Sequence, residues 1–403
     1  MVEIRFIESS ELLDFRDATT FGFGEDPSTD EGARDRWLAI NPAGTAIVAI
    51  DRGRIVATFG SYDLELTMPG GGQVRMAGTT HVTVYPTHRR QGILTKMMRM
   101  HLDQAHERGQ PMAGLWASEE RIYSRFGYGP AAAGHELKIP ARTVDLGAPE
   151  PGITVHPLTV DQAKDSLPGI YAQQLSAVPG RLVRSEQWWE ARRFYEPPSG
   201  GSSPRQRYVV AERDGVEVGY VIFRLHVPGD WSEGRAQIVE LVAVDDPARR
   251  ALWNFATNID LFRNVSWWNA PIDDPLLVEA DRFREISRTV MDSLWLRPLD
   301  VVSLLTARSY ERDGAITIGI TDRFGPAAGR YRLEVVDGQA TCEPTTAEPD
   351  AEFAVEELGR LLLGGGSAFT LQRAGLITVS PVAANTLSQI FATRLQPHCP
   401  EVF

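Results

Sequence analysis

The sequence predicts a three-unit chain of α/β and α+β design in which the second unit is a degraded copy of the first. Three observations carry this. A chain of 403 residues is longer than one hydrophobic core comfortably fills. Val242, Val244, Arg249 and Arg250 each stand 160 positions after Val82, Val84, Arg89 and Arg90, a register that points to duplication. From about residue 298 onward, strand-like alternation gives way to helical periodicity, the order of an α+β unit.

In the first unit, residues 11–20 and 31–40 have helical spacing. Between them Phe21-Gly-Phe-Gly-Glu-Asp-Pro27 reads as a glycine-rich loop with two aromatics and two acids. Trp37 lies on the second helix. Ala46–Ile50 alternates as a strand, Asp51-Arg52-Gly53 is a hairpin turn, and Arg54–Phe59 returns from it. Ser61–Met68 is a further strand that turns at Pro69–Gly72 and comes back through Gln73–Ala77.

The stretch His81–Met98 organises the unit. Val82 and Val84 alternate as a strand, Tyr85-Pro86-Thr87 turns, and Arg89-Arg90-Gln91-Gly92 precedes a helix expected from about 91 to 107. A strand, a basic glycine turn and a helix start together offer free N–H groups and a positive dipole end to a phosphate. Gly92, without a Cβ, lets the backbone come within hydrogen-bonding distance of a pyrophosphate oxygen. Then follow a short strand (Met112–Ala117), a helical turn bearing Tyr123, and the exit Gly127-Tyr128-Gly129-Pro130.

The second unit repeats this outline. Tyr208–Ala211, Arg213-Asp214-Gly215 and Val216–Leu225 form a hairpin, and Glu240–Leu252 echoes the organising stretch. Leu252 stands where Gly92 stood. A leucine in that turn blocks close backbone approach, so the copy is expected to bind no phosphate ligand and to serve as structure. In the third unit, Ile316–Thr321 and Tyr331–Val336 alternate as paired strands, Phe353–Leu363 is helical, Gly364–Gly366 breaks it, and Val382–Thr393 is an amphipathic helix. The expected boundaries are 1–148, 149–297 and 298–403.

Composition excludes several classes. A net charge of -12 argues against nucleic acid and against an anionic membrane, both of which need a basic face. Cys342 and Cys399 make neither a disulfide framework nor a metal-ligand spacing. No signal-like N-terminus and no apolar run of bilayer length are present, so the expectation is a reduced, cytoplasmic protein without a metal.

The run Arg89-x-x-Gly92 resembles motif A of the GCN5-related N-acetyltransferases (GNAT), with Leu94 departing from the Gly or Ala usual at that place. The wider set resembles one branch of them: Val82-Thr-Val84, Pro86-Thr-His-Arg-Arg90, Ala117-Ser-Glu119, Ile122-Tyr123, Arg125–Pro130 and the final Val402-Phe403. Together with the sterol-carrier-like third unit, these residues resemble the enhanced intracellular survival (Eis) acetyltransferases over essentially the whole chain. The resemblance implies two tandem GNAT folds, the second degenerate, followed by a sterol-carrier-protein-like α+β domain. It implies acetyl-CoA as co-substrate, held by Val82, Thr83, Val84, Arg89, Arg90, Gln91, Gly92, Ile93, Leu94, Thr95, Ser118 and Glu119. It also implies Tyr123 as general acid, the terminal carboxylate of Phe403 as general base, a homohexamer, and acceptors such as aminoglycosides and lysine side chains.

These roles suit the chemistry. Amine attack on a thioester needs a neutral nitrogen, hence a nearby carboxylate to take its proton. The oxyanion needs backbone donors, and the departing thiolate needs a proton that a phenol can give. A cationic acceptor would suit Glu25, Asp26 and Glu401, with Glu401 also able to raise the terminal carboxyl's pKa. Phe21, Phe23 and Trp37 are either plain core or the lining of an aromatic amine pocket, with Thr80, His81 and Trp116 beside it. Tyr128 is expected to be a core tyrosine with its hydroxyl satisfied. The competing reading is a non-catalytic protein whose third unit holds a lipid or another ligand.

Overall fold

A computed structural model describes residues 2–26, 30–141, 144–148, 150–196, 204–227, 229 and 234–403. Pro27 of the first loop and Pro149, expected to open the second unit, lie outside the described residues.

The first unit runs β1 (Glu3–Phe6), α1 (Leu12–Gly22), α2 (Glu31–Ile40), β2 (Ile47–Asp51), β3 (Arg54–Thr67), β4 (Gln73–Val84), α3 (Ile93–Glu107), β5 (Met112–Trp116), α4 (Glu120–Tyr123), β6 (Gly129–Pro130) and β7 (Ala133–Pro140). The two short strands expected between Arg54 and Met68 are one strand, β3. It is continuous because a bulge between Thr58 and Gly60 absorbs the break in alternation.

The second unit follows as β8 (Ile153–Leu158), α5 (Val160–Leu175), α6 (Glu186–Trp189), β9 (Gln206–Arg213), β10 (Val216–His226), β11 (Arg235–Ala243), α7 (Asp246–Thr257), β12 (Asn264–Pro271), α8 (Leu276–Glu279), β13 (Ser287–Asp292) and β14 (Leu294–Pro298). The third is α9 (Val301–Ala307), β15 (Gly314–Thr321), β16 (Gly329–Val336), β17 (Gln339–Pro344), β18 (Ala351–Ala354), α10 (Val355–Leu362), α11 (Ala368–Arg373), β19 (Ile377–Val379) and α12 (Pro381–Phe391).

The first two sheets exchange strands. The first has the order β1-β2-β3-β4-β5-β14-β6, and the second β13-β7-β12-β11-β10-β9-β8. Thus β14 crosses back to pair with β5, Leu294 opposite Trp116, while β7 crosses forward to pair with β12, Ile139 opposite Val265. Leu137 and Ile139 of β7 are buried in the second unit's core, while Leu294, Trp295 and Leu296 of β14 are buried with first-unit residues, so each sheet is completed by a strand from the other side of the chain. The third unit's five-stranded sheet is covered by α10 and α12. Leu358, Leu361, Leu362, Leu387, Ile390 and Phe391 are buried there. Among the described residues no helix is long and apolar enough to cross a membrane.

Candidate active site

In the first sheet, β4 and β5 run parallel but pair only over Met76–Gly78 and Met112–Gly114. Beyond Gly78 the strands part, and β4 continues to Val84 with its β5-facing edge unpaired by that strand. The parting coincides with the bulge, where His81 and Val82 of β4 face a single residue of β3. His81 takes the left-handed φ of 53° that such an extra residue demands. Thr58 pins the distortion, its hydroxyl donating to the His81 carbonyl at 2.8 Å and lying 2.9 Å from the Thr83 hydroxyl. From the other side α1 closes down on β4 at Gly22, where a Cβ would come within 2.6 Å of the Thr83 hydroxyl.

The basic turn lies at the far end of this opening. Arg89, Arg90, Gln91 and Gly92 are exposed, and Arg90 and Gly92 have φ of 63° and 75°. Gly92 is the N-cap of α3, with no side chain capping the helix and no acidic residue in its first turn. The N–H groups of Ile93, Leu94 and Thr95 precede the first intrahelical bond, from Lys96 N to Gly92 O. A Cβ on Gly92 would meet nothing within 4 Å, so open space lies in front of the turn. These residues fit a phosphate-bearing ligand: a dipole end with free donors, cations around it, and no competing anion.

Tyr123 ends α4 with its side chain buried. Burial raises its phenol pKa, a hydrogen bond with Ser118 opposes that, and the charge of Glu119 adds to it. The group therefore stays protonated at neutral pH, as a proton donor must. Its ring meets Tyr128 edge-on at 6.1 Å, and the Tyr128 hydroxyl bonds Thr79, the first β4 residue past the last β4–β5 pair, at 2.9 Å. Tyr128 is the satisfied core tyrosine expected. Ser118 and Glu119 are exposed just after β5.

On the other face of β4, His81 sits among rings: Phe15 at 6.0 Å, Trp37 at 5.6 Å and Tyr62 at 5.8 Å. Its Nε2 lies 3.0 Å from Asn41 Oδ1 and 3.3 Å from the Tyr62 hydroxyl. Burial, with Arg192 adding to it, pushes its pKa down to about 3, so the imidazole is neutral. Thr80 is buried beside it. Phe21 and Phe23 are 64% and 56% exposed at the end of α1, Phe21 against Tyr85 at 5.1 Å, and Glu25 and Asp26 follow them in solvent. Trp116, at the end of β5, meets Trp268 of β12 at 5.3 Å.

One expected substrate contact is overturned. Glu401 is 1% exposed and fully committed. Its Oε1 accepts from Arg184 and from Arg193 at 2.9 Å, and its Oε2 from the Trp188 indole at 3.0 Å. Arg184 and Arg193 also reach Glu240, which accepts from the Tyr220 hydroxyl at 2.7 Å. Burial alone would raise both carboxyl pKa values; the two guanidiniums outweigh it and hold both below the usual range. Glu401 therefore offers no free charge to an ammonium, and serves instead to anchor the last residues. Phe403, partly exposed, packs against the core cluster that also contains Tyr62, Trp188 and Cys399.

The second copy departs from expectation too. Its helix begins at Asp246, so Leu252 is a core residue inside α7 rather than a block in a turn. The Asp245 side chain caps this helix, accepting from Ala248 N at 2.9 Å, and is paired with Arg213. Arg249 and Arg250 are bound to Asp274, Glu279 and Glu150. The opening between β11 and β12 nevertheless persists: pairing ends at Ile238 and Trp267, beside a bulge in register with β10. A cavity of about 280 Å³ there is lined by Ile238–Val242, Trp267–Asn269 and the tail residues His398, Pro400 and Val402. Asn269 clasps that tail, donating to the Cys399 carbonyl at 2.8 Å and accepting from His398 at 2.9 Å.

Sequence reasoning passed over Tyr62, Asn41, Trp188 and Arg192. Each reaches the His81 region from a separate element, and no local motif links them. The one available signal was the pair Trp188-Trp189 before Arg192-Arg193, bulky aromatics and cations with no amphipathic spacing.

Comparison with known proteins follows the same outline. Acetyltransferase (GNAT) domain models match residues 3–131 and 180–298, and a sterol carrier protein domain model matches 301–400. The N-acetyltransferase Eis of Mycobacterium tuberculosis is 33% identical over 84% of each chain. An uncharacterized N-acetyltransferase of Streptomyces griseus is 33% identical over all of both. The crystal structure of Eis1 from Mycobacterium abscessus superposes over the whole of both chains with a TM-score of 0.86 at 29% identity. A GCN5-related N-acetyltransferase from Anabaena variabilis shares the fold with a TM-score of 0.86 at 18% identity.

Proposed function

Since the chain belongs to the Eis-like family of GNAT proteins, two GNAT units followed by a sterol-carrier-protein domain, we propose that it transfers an acetyl group from acetyl-CoA to a primary amine. The observation that carries this is the uncapped, acid-free start of α3 behind an exposed Arg89-Arg90-Gln91-Gly92 turn, opening onto the parted strands β4 and β5. The N–H groups of Ile93, Leu94 and Thr95 and the side chains of Arg89, Arg90 and Gln91 would hold the pyrophosphate, with Ser118 and Glu119 at the opposite lip. Bound acetyl-CoA supplies an activated acetyl group.

The chain's own groups do the rest. The free edge of β4 at Val82–Val84 offers backbone donors to developing negative charge, fixed in place before reaction by the Thr58 pin. Tyr123 holds the proton that the departing sulfur needs. The carboxylate of Phe403 takes the proton from the acceptor's ammonium, directly or through water, and the Glu401 anchor keeps that end of the chain in place. Neutral His81 shapes the acceptor face and, with its depressed pKa, is a poor proton acceptor at pH 7.

Aminoglycosides and lysine side chains are the acceptors the resemblance suggests, and Glu25 and Asp26 are the acids left to greet them. The homohexamer it suggests is read by sedimentation. The decisive test is release of free CoA across aminoglycosides, polyamines, lysine peptides and amino acids, with acetyl-CoA binding followed by calorimetry. Gly92→Asp, which gives α3 the acidic cap that α7 has, is expected to weaken acetyl-CoA by about 2 kcal/mol, roughly 30-fold. Unchanged binding in that variant would remove the turn as the phosphate site, and no acetyl-CoA binding with lipid extracted from the purified protein instead would return the third unit to the role of carrier.

A further inference from the structure

We propose that Arg192 is the anion-recognising residue of the acceptor site, so that the amine acetylated here also carries a carboxylate. This rests on the acetyltransfer reading above and narrows its substrate class.

Arg192 belongs to a π-helical turn, Glu190–Phe194, that continues α6. Such a turn is a common device at functional sites, because the inserted residue re-aims the side chains around it. Here it sends two neighbouring arginines to different fates. Arg193 goes inward to Glu240 and Glu401. Arg192 goes to the rings on the acceptor side of β4, its guanidinium 5.3 Å from the Trp188 ring and 5.9 Å from that of Tyr62.

Among the described residues its one hydrogen bond is from Nη2 to the Tyr62 hydroxyl at 3.0 Å, and its Nε is buried without a partner. A guanidinium has five donors in a planar fork suited to a carboxylate, so most of its capacity is left unused by the described residues. No described carboxylate pairs with it. Of the undescribed residues, 27–29 and 197–203 contain no Asp or Glu, and Asp230 and Glu233 are the acidic ones. The carboxylate expected to draw a cation on this side, Glu401, is already neutralised by Arg184 and Arg193.

Beside His81 the acceptor thus meets a cation, Arg192, bonded to Tyr62 of the cluster against which Phe403, with the carboxylate proposed as base, is packed. Tyr62 links the cation to the reacting strand, since its hydroxyl lies 3.3 Å from His81 Nε2, one residue before Val82. A cation fixed there repels a second ammonium and offers a bidentate partner to a carboxylate. The rings of Trp37, Tyr62 and Trp188 would take the body of the molecule. The recognised class is an amino-acid-like amine, one nitrogen to be acetylated and one oxyanion to be held.

Matched pairs test this: phenylalanine with phenethylamine, lysine with cadaverine, glutamate with 4-aminobutyrate, and muramic acid with glucosamine. Binding of each to the full-length protein saturated with CoA is followed by calorimetry, and acetylation is followed separately by CoA release. At least one pair is expected to show tenfold or greater preference for the member with the extra carboxylate. Arg192→Gln should erase that preference, and Arg192→Lys should restore part of it. A panel in which no pair shows the preference, or a preference that survives Arg192→Gln at an unchanged melting temperature, overturns the assignment. Binding with the expected preference but no CoA release from any amine would instead overturn the acetyltransfer reading.

Discussion

The first and second units open the same crevice in the same sheet and put different things in it. Between β4 and β5 the crevice leads to a helix start with no cap and a ring of exposed cations. Between β11 and β12 it is lined by the chain's own tail, and the neighbouring helix start is capped by Asp245. Duplication preserved the parted strands and the bulge beside them. What it did not preserve is the free electrostatic capacity: Arg249 and Arg250, in register with Arg89 and Arg90, are consumed by Asp274, Glu279 and Glu150. The two crevices thus differ less by a missing glycine than by charges that have found partners inside the protein.

The largest effect should come from breaking what fills the second crevice. Glu240→Ala leaves the buried Arg184 and Arg193 with a single carboxylate, Glu401, and so one uncompensated buried charge, which costs about 3–5 kcal/mol of stability. Denaturant melts would read it, and a loss below about 1 kcal/mol would mean that the tail is held mainly by Asn269 and packing. Next comes Tyr123, the proton donor proposed for the first crevice. Tyr123→Phe should lower kcat by about 10²-fold or more while leaving acetyl-CoA affinity unchanged. A fully active Tyr123→Phe enzyme removes the general-acid role.

The smallest effect separates the two crevices by pH. Each has a buried histidine, His101 beneath β4 and His398 in the tail, with pKa values pushed down by burial to about 3 and about 4. The unfolded chain takes up protons near pH 6.5 and the folded one resists, so stability present above that pH is lost as acid is added. At pH 5 each should have cost about 2 kcal/mol, and His81, also near 3, a similar amount. His101→Gln should flatten the stability curve between pH 6.5 and 4 by one proton's worth. An unchanged slope would show that His101 is protonated in the folded state.

Much of this architecture was legible in the sequence because it rests on local pattern. The turn at Arg89–Gly92, the alternation of Val82 and Val84 and the Tyr123 run each declare themselves within a few residues. Their echo 160 positions later revealed the duplication. That same echo misled about Leu252, since the second helix starts earlier relative to its strand and carries Arg249 and Arg250 within its first turns. Glu401 was misread because its partners, Arg184, Arg193 and Glu240, lie more than 150 positions away, where no spacing rule reaches. Arg192 was hard to read for a related reason: the aromatic pair before Arg192-Arg193 was the one local signal, and its neighbour Tyr62 lies 130 positions away.

The exchange of β7 and β14 bears on how the protein is made. Neither crevice-bearing sheet can be completed in the order in which the chain is synthesised. At roughly 5–20 residues per second, a ribosome that has finished β6 at Pro130 needs about 8–34 s more to reach the end of β14 at Pro298, the strand on which β6 pairs. Until then β5 presents a bare apolar edge with Tyr123 behind it. A gene fragment ending near residue 131 should therefore yield aggregates rather than a folded domain.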